Sequence, residues 1–134
     1  REFVTLSDLD TVIKNSDILS LHLPLTDETR NMISAKELSM MKKGAYIVNT
    51  ARGGIIKEKD LYDALVSGQI AAAALDVSEK EPMDDDNPLR KLDNVIITPH
   101  IGMYSKEAIS AVSLICAQNV ASMFQGGELK FKVV

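Results

Sequence analysis

Five polar residues stand out because each follows a short apolar run. His22 follows Ile18-Leu19-Ser20-Leu21, and Arg52 follows Tyr46-Ile47-Val48-Asn49-Thr50-Ala51. Asp76 closes Ile70-Ala71-Ala72-Ala73-Ala74-Leu75, with Glu81 shortly after, and His100 follows Val95-Ile96-Ile97-Thr98-Pro99. His100 is the candidate acid/base, since imidazole titrates near neutrality. A carboxylate such as Glu81 beside it would favour the imidazolium and fix its tautomer. A guanidinium such as Arg52 forks onto a carboxylate or a carbonyl oxygen. The combined chemistry would hold an acid, polarise a carbonyl and move a proton. Each residue also has a plainer reading. An arginine after a strand can bind a neighbouring acid, and a histidine after proline can bond to backbone. Glu81-Pro82 can be solvated loop, and Asp76 can cap a helix or bind a lysine. Recurrence at successive run ends favours a shared site.

The elements must bring those ends together. Residues 18–23, 45–49, 70–77 and 95–98 read as buried strands. The alanines of 70–77 prefer helix, but the run is short and follows a helix stop at Ser67-Gly68. Helices are expected between them. Ser7-Asp8-Leu9-Asp10 reads as an N-cap, with Leu9, Val12 and Ile13 on one face and a stop at Asn15-Ser16-Asp17. Residues 26–29 suit a helical turn. Ser34-Ala35-Lys36-Glu37 reads as a capping box, and Lys42-Lys43-Gly44 as a basic last turn followed by glycine. Residues 57–66 form a helix with Leu61, Ala64 and Leu65 inward, and 79–88 a loop. A last helix, capped by Ser105, carries Ile109, Val112, Cys116, Val120 and Met123 on one stripe, with Cys116 as a small core residue. Alternating strands and helices indicate an α/β fold with a parallel sheet. In open sheets of that kind, ligands sit outside the carboxyl ends of the strands.

Composition narrows the function classes. The 134 residues suit one domain or part of one, and 46% hydrophobic with 25% charged is ordinary for a globular chain. A net charge of −4, with three Tyr, three Phe and no Trp, argues against nucleic acid as a partner. No membrane partner is expected, because no apolar run is read as long enough to span and no signal opens the chain. Cys116 alone permits no internal disulfide, which fits a reducing cytosol, so a cytoplasmic location is expected. No metal site is expected. Arg1-Glu2-Phe3-Val4 carries no start signal, so the chain reads as cut from something longer. No G-x-G-x-x-G occurs, so a dinucleotide phosphate loop is expected outside it.

Three linked motifs carry a resemblance. Asn49-Thr50-Ala51-Arg52-Gly53, Ala74-Leu75-Asp76-Val77 with Glu81-Pro82, and Thr98-Pro99-His100-Ile101-Gly102 resemble the D-isomer-specific 2-hydroxyacid dehydrogenases. The order matches, as do the separations of 24 residues from Arg52 to Asp76, 5 to Glu81 and 19 to His100. Ser20-Leu21-His22-Leu23-Pro24-Leu25-Thr26 resembles the family's stretch beside the cofactor. The resemblance implies the latter half of a Rossmann-like domain, with about four parallel strands flanked by helices and a long C-terminal helix. Residues 1–125 would be part of the NAD-binding domain, and 126–134 a tail leading toward a substrate domain. By the same resemblance Arg52, Glu81 and His100 are catalytic. His22, Leu23, Pro24, Thr50, Ala51, Arg52, Asp76, His100 and Gly102 line the cofactor, and Arg52, His100 and Tyr104 meet the substrate. The implied reaction is hydride transfer between a nicotinamide cofactor, NAD with NADP not excluded, and a small 2-oxo or D-2-hydroxy acid, in a homo-oligomer. Tyr104 resembles the lactate and 2-hydroxyisocaproate branch, whereas Met103 departs from the aromatic expected there. Asp27 stands where many members have proline. Without a phosphate loop and substrate domain, the chain by itself is expected to be inactive. The alternative is a dinucleotide-sensing, corepressor-like binding protein of the same superfamily.

Overall fold

The computed structural model describes residues 3–131. The chain forms two compact units, Arg1–His100 and Ile101–Val134. In the first unit the order is α1 (Leu9–Asn15), β1 (Ile18–Leu21), α2 (Ala35–Met40), β2 (Ala45–Asn49), α3 (Glu58–Val66), β3 (Ile70–Leu75), a 3₁₀ turn (Pro88–Lys91) and β4 (Val95–Ile97). The strands form one sheet in the order β1-β2-β3-β4, and every pair is parallel.

That order explains why burial is one-sided. Each crossover steps the same way, and right-handed crossovers then carry all the connecting helices to one face. Leu19, Leu21, Ala45, Ile47, Ala73 and Leu75 are buried on that face with Ile13 of α1, Leu38 of α2 and Leu61 and Leu65 of α3. The alternate strand residues Ile18, Tyr46 and Ile96 are exposed, as a period of two requires. Three expected strands are shorter than read, β4 by one residue because it ends at Ile97. β1 stops where Leu21 pairs with Asn49, and β3 stops at Leu75, its partner in the next register position. His22, Leu23 and Val77 therefore lie beyond the strands.

The helices form where local chemistry closes their ends. The cap of α1 is Asp8, not Ser7, because its carboxylate reaches the Thr11 amide at 2.8 Å. At α2 the Glu37 carboxylate turns back to the Ser34 amide at 3.2 Å and its hydroxyl at 2.7 Å, the expected capping box. Asp60 of α3 adds a bond to the first α2 amide, Ala35, at 2.9 Å. The basic last turn of α2 is not formed. The chain leaves the helix at Met41, Lys42 pairs with Asp17 at 2.8 Å, and Gly44 takes φ +82° in the turn into β2. α3 buries Leu61, Ala64 and Leu65 as its spacing requires.

The second unit is built around α4 (Lys106–Phe124), whose first turn is capped by Ser105 accepting from the Ala108 amide at 3.0 Å. The expected stripe forms a helix, but none of its residues is buried and Cys116 is exposed. A single helix has little in its own unit to pack on. Its main tie there is Asn119, bonded twice to the Lys130 backbone at 2.9 Å. α4 is long and apolar enough to cross a membrane by length and composition, contrary to the sequence expectation. Its Ala, Ile, Val, Leu and Cys are spread among Ser, Gln and Asn, so no unbroken apolar run marks it.

Candidate active site

The site begins at the ends of β3 and β4, which are neighbours. Thr98 continues the ladder by donating its amide to the Leu75 carbonyl at 2.9 Å. The chain then turns sharply. The His100 amide donates to the Thr98 carbonyl at 3.0 Å, and His100 takes φ +55°, a left-handed conformation. For a residue with a Cβ that conformation costs about 1–2 kcal/mol. It places the His100 Nδ1 2.8 Å from Glu81 Oε2. The other Glu81 oxygen accepts from the Ser78 amide at 3.2 Å, and the Glu81–Pro82 peptide is cis. The bond with His100 holds the Glu81 carboxyl below its usual range, against desolvation, which raises it. The Ser78 amide and the charges of His100 and Arg52 pull in the same direction as that bond. With Nδ1 engaged, Nε2 is the ring nitrogen left to exchange a proton.

Arg52 is presented by the loop after β2. One guanidinium nitrogen, Nη1, donates to the Ala51 carbonyl at 2.7 Å, which leaves Nε and Nη2 as the fork for an acid. The loop is gripped on several sides. The Asn49 side chain accepts from the Ala51 amide at 3.0 Å and donates to the Arg52 carbonyl at 2.9 Å. The Asn31 amide donates to the Gly54 carbonyl at 2.8 Å, and Ile33 bridges to Ile56. Gly53 packs so closely on the Ser78 backbone that any Cβ there would overlap the Ser78 carbonyl. Ser78 is the residue whose amide holds Glu81, so this contact joins the Arg52 loop to the Glu81 loop.

Asp76 is buried one residue past β3. Its carboxylate accepts from the Thr98 hydroxyl at 2.5 Å, and its amide donates to the Asn49 carbonyl at 2.9 Å. A cleft of about 580 Å³ opens beside these groups, lined by Asp76, Glu81, Met83, Arg90, Ile97 and His100 among others. Arg52 is not among its lining residues. His22 sits at the other end of the strand row, where its Nε2 shares a hydrogen bond with the Ser20 hydroxyl at 2.8 Å. Three strand spacings separate that row position from β4, on the order of 14 Å. Leu23, Pro24, Thr50 and Ala51 occupy the same sheet edge, at the ends of β1 and β2. Gly102 and Tyr104 belong to the second unit, where the Tyr104 amide donates to the Ile101 carbonyl at 2.9 Å and the ring is exposed.

The sequence reading missed the groups that hold the loops: Asn49, Gly53 and Ser78. It also missed a reciprocal pair. The Glu58 amide donates to Glu79 at 2.7 Å and the Glu79 amide to Glu58 at 2.6 Å, tying the start of α3 to the loop that carries Glu81. Only Asn49 left a signal, as a polar residue ending an apolar strand.

In sequence and in fold the chain is similar to known proteins. Residues 1–102 match the family model described as D-isomer specific 2-hydroxyacid dehydrogenase, NAD binding domain. The chain is 48% identical to a D-3-phosphoglycerate dehydrogenase of Archaeoglobus fulgidus, over 92% of this chain and 23% of that protein. It is 45% identical to a glyoxylate reductase of Thermofilum pendens, over 90% of this chain and 35% of that protein. The NAD-complexed D-isomer specific 2-hydroxyacid dehydrogenase of Lactobacillus delbrueckii ssp. bulgaricus superposes with a TM-score of 0.88 at 38% identity, covering 96% of this chain and 43% of that one. Among the curated relatives compared, the chain spans 23% to 39% of their length. A parallel sheet whose adjacent ends carry the Glu81–His100 pair and Arg52, in a sequence matched over residues 1–102, belongs to the D-isomer specific 2-hydroxyacid dehydrogenase family, within its NAD-binding domain.

Proposed function

We propose that this chain carries the acid/base half of an NAD(P)-dependent dehydrogenase that interconverts a small 2-oxo acid and its D-2-hydroxy acid. The observation that carries the reading is the 2.8 Å bond between His100 Nδ1 and Glu81, with the Arg52 charge acting on the same carboxylate. Arg52 would hold the substrate carboxylate and polarise the neighbouring carbonyl. His100 would deliver a proton from Nε2 to the 2-oxygen on reduction and take it back on oxidation, while Glu81 steadies the imidazolium through Nδ1. The donor set at the sheet edge fits the nicotinamide end of a dinucleotide. Asp76 offers a carboxylate to a carboxamide, and the His22–Pro24 and Thr50–Ala51 segments offer backbone. A bound NAD(P)H supplies the hydride that reduces C2. The G-x-G-x-x-G pattern that would cradle its phosphates does not occur in the 134 residues. Glyoxylate, hydroxypyruvate, glycerate and lactate all have a carboxylate next to the reacting carbon, which is the part Arg52 would read. The acidic net charge and single free cysteine support a cytoplasmic enzyme acting on a small molecule.

The test is turnover of glyoxylate, hydroxypyruvate and pyruvate, with NADH and with NADPH, by a protein of the relatives' full length that carries these residues. Reduction is expected with at least one acid, falling about 10²- to 10⁴-fold in His100→Ala. Absence of turnover on the whole panel, or wild-type rates in His100→Ala, would sink the reading.

A further inference from the structure

We infer that Asn49 is a positioning residue, whose side-chain amide sets where the Arg52 guanidinium stands and so how a substrate carboxylate is held. The inference rests on the proposed role of Arg52. Arg52 is exposed and lies outside any helix or strand, so no regular backbone holds it. Asn49, the last residue of β2, is only 2% exposed. Three of its polar groups act at this sheet edge. Its carbonyl accepts from the Asp76 amide at 2.9 Å, its Oδ1 from the Ala51 amide at 3.0 Å, and its Nδ2 donates to the Arg52 carbonyl at 2.9 Å.

The partners dictate which way the amide points. The Ala51 N–H needs an acceptor and the Arg52 carbonyl needs a donor, and the flipped amide would mismatch both. Aspartate has no donor, and leucine has neither group. Burial matters as much as geometry, because water has little access to replace a lost bond there. The downstream side of the loop is held separately, by the Gly53 contact with Ser78 and the Asn31 bond to Gly54. Asn49 holds the upstream side, and Arg52 stands between the two anchors.

The test uses a protein of the relatives' full length. Asn49→Asp keeps the shape but turns a second acceptor toward the Arg52 carbonyl. The expected result is a fall of about a hundredfold in kcat/KM for the 2-oxo acid, with a raised KM. In an Arg52→Ala background the same change should add less than about a twofold further loss, because its effect runs through Arg52. Equal losses in the two backgrounds, or an unchanged kcat/KM in Asn49→Asp, would overturn the inference. An unchanged kcat/KM in Arg52→Ala would instead overturn the proposed role of Arg52. Hydrogen exchange of the Ala51 amide in the unsubstituted protein reads the Asn49 bond without any variant, and so decides the case if Asn49→Asp does not fold. Protection of more than about tenfold over an open loop is expected. Exchange at the open-loop rate would show that Asn49 does not hold this segment.

Discussion

At the scale of single residues, the Glu81–His100 bond depends on Glu81 keeping its charge. That bond holds the Glu81 carboxyl below its ordinary value of 4.5 in the folded chain. Its contribution to stability is therefore full above that ordinary value and is lost as pH falls through the lower folded one. Glu81→Gln should flatten part of the acid limb of stability, read by urea unfolding across pH 3 to 6 (about the carboxylate range). In a protein of the relatives' full length, on the proposed reading, it should also lower kcat about ten- to a hundredfold, since the imidazolium loses its partner. An unchanged acid limb together with an unchanged kcat would contradict both roles. Gly53 tests the join between the two loops. In Gly53→Ala the new methyl meets the Ser78 carbonyl, backbone against backbone, so neither side can yield cheaply. A loss of about 1–3 kcal/mol in stability is expected, with a fall in kcat/KM as Arg52 and Glu81 move apart. Denaturant unfolding and steady-state kinetics on the same preparation check the two effects. The pair itself was legible from sequence, because Glu81 follows one apolar run by a few residues and His100 follows the next. Asn49 was not, because a polar residue at a strand end has many uses and its two side-chain bonds exist only once the loop has folded back.

At the scale of elements, the helices are locked to one another through their ends. Asp60 of α3 accepts from the first amide of α2, and that bond is the leading reason its carboxyl lies below the ordinary 3.8. Asp60→Ala should cost about 1 kcal/mol, the usual worth of a helix cap. The loss should be full at neutral pH and vanish once the pH falls through the lowered folded value, because the wild type then loses the same carboxylate. Chemical unfolding at pH 7 and again in strong acid checks this, and an equal difference at both would refute it. The capping box of α2 was readable from Ser34 and Glu37, since its partners lie within one turn. The Asp60 cap was not, because it joins residues 25 apart in sequence. The same distinction explains α2's early end. Lys42 and Lys43 have the composition of a last turn, but the chain is already extended at Met41, and Lys42 pairs with Asp17, 25 residues away in sequence.

At the scale of the molecule, the first unit has a one-sided sheet. β1 is an edge strand, and Ile18 is 65% exposed, with Tyr46 and Ile96 exposed on the same face. Parallel sheets are usually covered on both faces, and an unprotected edge seeks pairing. The 134-residue chain alone should self-associate, through the β1 edge or the open face, and Ile18→Lys should weaken that association. Sedimentation over a concentration series reads it, and a monomer at every concentration would contradict it. α4, with no buried residue, is a second candidate surface. The same chain should bind NADH weakly, because the phosphate-cradling pattern does not occur in it. Calorimetric titration should show little heat, and micromolar binding would mean that the sheet edge alone supplies the affinity.

The amino-acid sequence alone determined the alternation of strands and helices, the Ser34–Glu37 capping box, the Ser105 cap, and the residues at the strand ends. Those features depend on period, on capping chemistry within a turn, and on turn residues, all local. Only the tertiary structure decided where β1, β3 and β4 stop, because pairing ends with the partner strand rather than with apolarity. It alone decided that the stripe of α4 is exposed, since spacing shows that residues share a face and not what covers it. It also decided the orientation of the site. Arg52, Glu81 and His100 are set by three loops whose anchors, Asn49, Ser78 and the closely packed Gly53, act across gaps in sequence that no local pattern encodes.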